Sequence, residues 1–253
     1  MLTTIAVSNQ KGGVAKTTSC LSLGACLAEL GYSVLLIDLD PQSHLTLSMG
    51  LKPDKLRRTV RDALLGNVSL VSASRESPVF DLDIVPANQG LALINKLFYE
   101  QKGFEFHLKN RLRALTDNLY QVIIIDCPPS FDTLTLNALT AADLLIIPVQ
   151  CEYYAANSLR QIIRLARLVQ QKTNPQLTYQ ILVTMYDRRN RVCKLVFDQL
   201  QTNLSQNLFD TIIEVDTKLR ESPAFGKPIT LYAPNTRGAR QYRALAKELM
   251  NYG

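Results

Sequence analysis

"SNQKGGVAKTT", residues Ser8 to Thr18, is the stretch from which the rest of the chain is read. It follows a β-branched run, "TTIAVS" (3–8), and opens a segment with helical apolar spacing through Leu23, Leu27 and Leu30. It is therefore a glycine loop between a strand and a helix start, where successive backbone N–H groups and the helix dipole attract phosphate. The usual phosphate-loop pattern, G-x-x-x-x-G-K-[ST], fails at two places: Gln10 and Ala15 stand where its glycines belong. The glycine pair is instead Gly12–Gly13, flanked by two lysines, Lys11 and Lys16. Lys16 would reach the β- and γ-phosphates and the Thr17 hydroxyl would ligate Mg²⁺. One lysine suffices for that task, so Lys11 needs a separate explanation.

Outward from the loop, the chain reads as a string of β–α units. Gly31 is placed to stop the first helix, "SVLLID" (33–38) is a second buried strand, and "TVRDALLG" predicts a short helix. "FDLDIVPA" (80–87) gives a third strand and a helical stretch runs on to about Asn118. "QVIIIDCPP" (121–129), "DLLIIPVQ" (143–150) and "TYQILVTMY" (178–186) are further strands, with "TLTLNALTAA" (133–142) a helix between the first two. "NSLRQIIRLARLVQQ" (157–171) is an amphipathic helix whose apolar side is expected at Leu159, Ile162, Ile163, Ala166, Leu168 and Val169. Helices are expected again at about 191–204 and 238–250. Fully apolar strands alternating with helices imply an α/β fold, one doubly wound, mostly parallel sheet with helices on both faces. No linker, repeat or low-complexity segment divides it, so a single domain over 1–253 is expected.

Apolar runs such as "LLIIPV" are strand-sized and too short to span a bilayer. The N-terminus lacks the basic start and cleavable apolar core of a signal peptide. Five cysteines without a C-x-x-C pair fit free thiols in a reducing cytoplasm. The net charge of +6 is unevenly spread: residues 1–187 hold 17 Lys/Arg against 16 Asp/Glu, and residues 188–253 hold 11 against 6. A basic C-terminal quarter suggests a polyanion partner, nucleic acid or an anionic membrane; the plain alternative is a solvated basic surface.

"KGGVAKTT" resembles the deviant Walker A box, K-G-G-x-x-K-[ST], of the ParA/MinD family of ATPases, a branch of the P-loop NTPases. "LLIDLDPQ" (35–42) resembles that family's first switch box, and "IIIDCPPS" (123–130) its Walker B and second switch. "IPVQCEYYA" (147–155), "GKPITLYAPNTRGARQY" (226–242) and "LAKEL" (245–249) are similar to ParA-type partition proteins. The resemblance implies that Lys11, Gly12, Gly13, Val14, Ala15, Lys16, Thr17 and Thr18 bind ATP. Ala15 departs from the commoner glycine there and is expected to be tolerated at negative φ. Asp126 would hold Mg²⁺ through water, Asp40 would join Thr17 and Asp126 at the metal and orient the attacking water, and Asp38 would support the magnesium–water network. Adenine is expected near "TMYD" and "YAPN", with Met185 and Pro234 as apolar contacts; a core methionine and a turn proline are the plain alternatives.

The resemblance also explains the second lysine. Lys11 is in the position of the family's signature lysine, which crosses a dimer interface to the other subunit's ATP and acts in trans much as an arginine finger does. The implied assembly is a face-to-face homodimer enclosing two ATP molecules.

Three basic clusters are candidates for DNA: Arg188, Arg189, Arg191 and Lys194; Lys218 and Arg220; and a helical stripe of Arg237, Arg240, Arg243 and Lys247. ParA-like proteins bind DNA non-specifically through C-terminal basic residues as dimers, which implicates Arg189, Lys218 and Arg220. The implied cycle is an ATP dimer on double-stranded DNA of the nucleoid, a positioned DNA or protein cargo, and hydrolysis stimulated by a ParB-like adaptor.

Two rival readings remain. A MinD-like ATPase would work on membrane, but needs a C-terminal amphipathic helix that "LAKELMNYG" does not supply. A small-molecule kinase or ligase would use Lys11 within its own subunit. The chain also starts directly at the first strand, so no N-terminal DNA-reading extension is expected. An iron–sulfur bridge like that of a nitrogenase iron protein is not expected, because Cys127 adjoins Asp126 and no cysteine lies between Cys26 and Cys127.

Overall fold

The computed structural model describes residues 2–115 and 119–251. Seven strands form one sheet in the order β3-β4-β2-β5-β1-β6-β7. They are β1 (Thr3–Val7), β2 (Val34–Asp38), β3 (Arg75–Glu76), β4 (Leu82–Val85), β5 (Val122–Asp126), β6 (Leu144–Gln150) and β7 (Thr178–Thr184). All neighbours pair in parallel except β3, a two-residue edge strand antiparallel to β4. It lies outside the strand expected at 80–87, because two residues are too few to show a period of two.

Alternation along the strands divides the core between two helical layers. Leu35, Ile37, Ile123, Ile125 and Ile147 face one layer; Val34, Leu36, Val122, Ile124 and Ile146 face the other. The second layer holds α1 (Lys16–Glu29) and α2 (His44–Ser48). On the first face lie α3 (Val60–Leu65), α4 (Leu70–Ala73), α5 (Leu93–Phe98) and α6 (His107–Arg113). With them pack α7 (Thr133–Ala141), α8 (Ala155–Lys172) and α9 (Arg191–Leu204). The chain then returns to the second face with α10 (Thr217–Glu221), α11 (Ile229–Tyr232) and α12 (Arg237–Met250). Burial on both faces is why the parallel strands read as unbroken apolar runs.

Two expectations are revised. The helical stretch after β4 is two helices: α5 ends at Phe98, and Gly103, whose φ of +74° suits glycine, opens the 3₁₀ turn Phe104–Phe106 that leads into α6. Its expected end near Asn118 lies outside the described residues. In α8 the buried stripe is Ala155, Leu159, Ile162, Ala166 and Val169, whereas Leu168 is 49% exposed. One residue before Val169 means about 100° of rotation, which takes Leu168 off the core face. Among the described residues, no helix is long and apolar enough to cross a membrane.

Gly226 marks a close approach. Its φ is +62°, and a Cβ there would meet Gly50 Cα at 2.8 Å. Gly226→Ala should cost about 2–4 kcal/mol, combining left-handed backbone strain with steric overlap. Gly103→Ala, where a Cβ finds only Phe106 at 3.9 Å, should cost about 1 kcal/mol from the backbone alone. Urea denaturation of the two variants measures the difference.

Candidate functional site

β2, β5 and β1 end side by side, and register sets Asp126 beside Val7 on one neighbour and Asp38 on the other. The loop leaving β1 curls over these ends into α1. Its shape is held by side chains: Asn9 Oδ1 accepts from the Lys11 N–H at 3.0 Å, and the Thr184 hydroxyl donates to the Val14 carbonyl at 3.1 Å. Around Gly12 and Gly13 a Cβ would meet nothing within 4 Å, so this side of the loop is open.

Ala15 has φ of +65° and is the residue from which α1 starts. The condition under which alanine would be tolerated without strain, a negative φ, is therefore not met. The loop enters its helix through a left-handed residue, which is why glycine suits that place, and here an alanine bears the strain.

Lys16 lies almost fully buried at the first helical position, its Nζ 3.3 Å from the Lys11 carbonyl. Burial lowers its pKa, opposed by the charge of Asp126. The Thr17 hydroxyl donates to Asp126 Oδ2 at 2.7 Å. Asp126 is fully buried, and burial together with the neighbouring Asp38 charge pushes its pKa up to about 8.

Asp38 is held differently. Its Oδ2 accepts from the Thr46 hydroxyl at 2.6 Å and the Thr46 N–H at 2.9 Å; its Oδ1 accepts from the Asp40 N–H at 3.1 Å. Burial raises its pKa to about 6, with these hydrogen bonds pulling against the rise. Thr46 in turn accepts from the Ala87 N–H at 2.9 Å. Asp38 thus ties β2, α2 and the end of β4 together, while Asp40, 7% exposed, turns back to accept from the Gln42 N–H at 2.9 Å. Neither Thr46 nor this tie has a sequence signature, because the two partners stand eight residues apart with no period linking them.

Lys11 goes elsewhere. Its ammonium pairs with Glu152, just before α8, and both side chains are partly exposed, 28% and 45%. Glu152 lies inside the quoted "IPVQCEYYA" box, but only the fold shows which lysine it meets. Beside this edge, Gln10, Phe131, Gln161, Arg164, Leu165 and the exposed Leu168 line a shallow groove.

Met185, at φ +49°, closes a small cavity of about 50 Å³ with Ala15, Thr18, Val215, Asp216 and Arg220. Pro234 does not line it; its carbonyl accepts from Arg243 at 2.6 Å. Two of the basic clusters are in part committed within the chain: Arg188 and Arg237 both bind Glu214, and Arg243 binds Glu29. Arg189 pairs with Asp187 and Lys218 with Glu221, both at the surface.

The donors here suit a hard cation completed by outside oxygens. Among the described residues no three His, Cys, Asp or Glu converge as a cage, yet Asp126 Oδ1 is buried without a hydrogen-bond partner, beside the Thr17 hydroxyl. That is the arrangement Mg²⁺ takes when phosphate and water supply most of its ligands.

A lysine-bearing glycine loop at the ends of parallel strands, with a buried carboxylate on the adjoining strand, defines a P-loop NTPase fold. A family profile described as an AAA domain matches residues 2–179. The sporulation initiation inhibitor protein Soj of Bacillus subtilis is 42% identical over 250 residues, covering 98% of each chain. A Mycobacterium smegmatis structure described as cobyrinic acid a,c-diamide synthase with an ATP analogue and magnesium is 38% identical, with a TM-score of 0.88 over 100% of this chain and 96% of that one. A plasmid partition protein from Borrelia burgdorferi bound to AMPPNP is 27% identical, with a TM-score of 0.84 over 100% of both chains. The chain belongs to the ParA/MinD family of ATPases, among its Soj/ParA-type partition proteins.

The strain at Ala15 is testable. Ala15→Gly removes a left-handed penalty of about 1–2 kcal/mol and gives part of it back as unfolded-chain entropy. A net stabilisation of about 0.5–1 kcal/mol is expected, read as a raised urea midpoint at unchanged slope.

Proposed function

We propose that the chain is one ParA-type ATPase domain over 1–253 that binds and hydrolyses Mg·ATP and positions a DNA or protein cargo. The observation that carries this reading is the separation of the two loop lysines. Lys16 is buried inside the loop, where a bound nucleotide's phosphates would replace the Lys11 carbonyl as its partner. The Lys11 ammonium is held out at a partly exposed rim by Glu152. In a face-to-face homodimer, Lys11 exchanges Glu152 for phosphates of the partner's ATP and supplies charge there as the transition state develops.

Thr17 and Asp126 are the residues that would hold Mg²⁺, which when bound neutralises charge on the β- and γ-phosphate oxygens. Backbone N–H groups of residues 12–18 cradle the phosphates, and Asp40 orients the attacking water. Asp38 acts through Thr46, fixing the segment that carries Asp40. Met185 borders the adenine; Pro234 is the weaker candidate, since it lies off the cavity that Met185 closes. The magnesium and nucleotide assignment is supported by the ATP analogue and magnesium in the M. smegmatis relative.

In the ATP-bound dimer, Arg189, Lys218 and Arg220 of each subunit bind double-stranded DNA without reading sequence, placing the protein on the nucleoid in the cytoplasm rather than on a membrane. A ParB-like adaptor stimulates hydrolysis and releases it. The description of the M. smegmatis structure favours a second reading, an ATP-consuming small-molecule synthase. Such an enzyme would turn over ATP only with its co-substrate.

Lys11→Ala should retain ATP binding through Lys16 yet lose stimulated hydrolysis, and Lys16→Ala should lose ATP binding itself. Nucleotide titration and phosphate release measure both, and two variants with identical defects would remove the trans role. Hydrolysis by the wild type with no small molecule added, faster on DNA with adaptor, separates the first reading from the second.

DNA binding should require ATP and weaken with salt at a log–log slope of about −0.9 per phosphate contact. A gel shift of random-sequence duplex in ATP and ADP tests this; equal affinity in the two nucleotides counts against it. Lys218→Glu is the cleaner reversal, because Arg220 shares a cavity with Ala15 and Thr18 of the phosphate loop.

A further inference from the structure

The fold exposes a second run of cations, far in sequence from the basic C-terminal quarter. Lys52, Lys55, Arg57 and Arg58 follow α2, with Asp54 the only acid among residues 52–58. All four are exposed. None forms an ion pair among the described residues, where the charged pairs are those of Lys11, Arg188, Arg189, Lys218, Arg237 and Arg243.

The segment is built rather than loose. Leu51 and Leu56 are half-buried, and Leu51 packs against the second core layer. The Leu51 N–H donates to the Thr46 carbonyl at 3.2 Å, and a short 3₁₀ turn, Pro53–Lys55, follows. At the far end Thr59 and Asp62 close a capping box at the start of α3. Apolar anchors alternating with cations therefore hold the charges outward at fixed places.

The fold also decides what lies beside the segment. Gly50, two residues before Lys52, abuts Gly226, where an added Cβ would stand 2.8 Å from Gly50 Cα. Gly226 precedes the exposed Lys227 and follows α10, with Lys218 and Arg220, through a 3₁₀ turn at Ser222–Phe225. Across this glycine seam the chain lengths keep the Lys52 and Lys227 Cα atoms within roughly 15 Å. One turn of duplex, about 34 Å, spans more than that.

We infer that residues 52–58 form a second arm of the DNA-binding face, joined at the Gly50–Gly226 seam to the arm carrying Lys218, Arg220 and Lys227. This rests on the proposed DNA binding and extends it to residues outside the basic quarter. The new arm has an advantage that Lys218 lacks. Lys218 must leave Glu221 to meet a phosphate, whereas Lys55, Arg57 and Arg58 have no such partner to give up. They meet phosphates, so they add affinity and salt dependence without sequence preference.

The test is fluorescence anisotropy of a random-sequence duplex with ATP, across a salt series, for a triple variant Lys55→Glu, Arg57→Glu, Arg58→Glu. The matching triple glutamine variant guards against simple misfolding of the reversed one. Both should keep basal ATP hydrolysis and ATP-driven dimerisation, since none of the three residues belongs to the nucleotide site. At moderate salt the reversed variant should bind at least about tenfold more weakly. The neutral variant's salt slope should be shallower by about 0.9 for each phosphate it no longer neutralises. Unchanged affinity and slope in both variants, with Lys218→Glu still defective, would overturn the second arm and leave DNA binding by the C-terminal quarter standing. A wild type that ignores DNA in ATP would overturn both. Phosphatidylglycerol vesicles run in parallel provide the remaining arm: retention of the wild type but not of the triple variants, without matching weakening on DNA, would reassign the strip to membrane and overturn the proposal.

Discussion

Two carboxylates, Asp38 and Asp126, face each other in register at the ends of adjoining strands, both fully buried. Like charges so placed repel and are poorly solvated, so the structure around them exists largely to compensate. Lys16 and the Thr17 hydroxyl, brought by the first turn of α1, serve Asp126. Thr46, brought by α2, serves Asp38. The sheet register, the position of α1 over the strand ends and the short α2 are consequences of the same requirement.

Compensation is complete on one side only. Asp38 has three hydrogen bonds, whereas Asp126 keeps one oxygen buried and without a partner. That asymmetry separates two acids that the sequence presents alike: one stabilises the switch segment, the other faces the place where a cation and phosphates fit. The left-handed Ala15 belongs to this arrangement, because the chain must reverse sharply before α1 to deliver Lys16 and Thr17 to the same point.

Surface charge has a different logic. Part of the formal C-terminal positive charge sits on residues that the fold then pairs: Arg188 and Arg237 converge on Glu214, and Arg243 meets Glu29. Averaged over residues 1–187, the cations at 52–58 vanish into a near-neutral total. Net charge by segment thus overstates one surface and hides another, because pairing depends on neighbours in space. The unpaired run becomes relevant only through the approach of two glycines, Gly50 and Gly226, which no charge count can show.

By itself the sequence determined the elements and their order, since a buried parallel strand must be apolar on both faces and the helix periods between strands are intact. It also determined the loop, because a glycine pair, Lys16 and Thr17 between a strand and a helix have few other uses. Its errors were local. Leu168 was assigned to the core face although one residue turns it away, and the stretch before residue 118 was read as continuous across Gly103. Tertiary structure alone decided that Asp38 binds Thr46, that Lys11 meets Glu152, that Arg220 borders the phosphate loop, and that the turn after α2 abuts the turn after α10. Each of these joins groups on separate elements. Local periodicity fixes which face of an element is buried, but not which side chain of another element it will meet there.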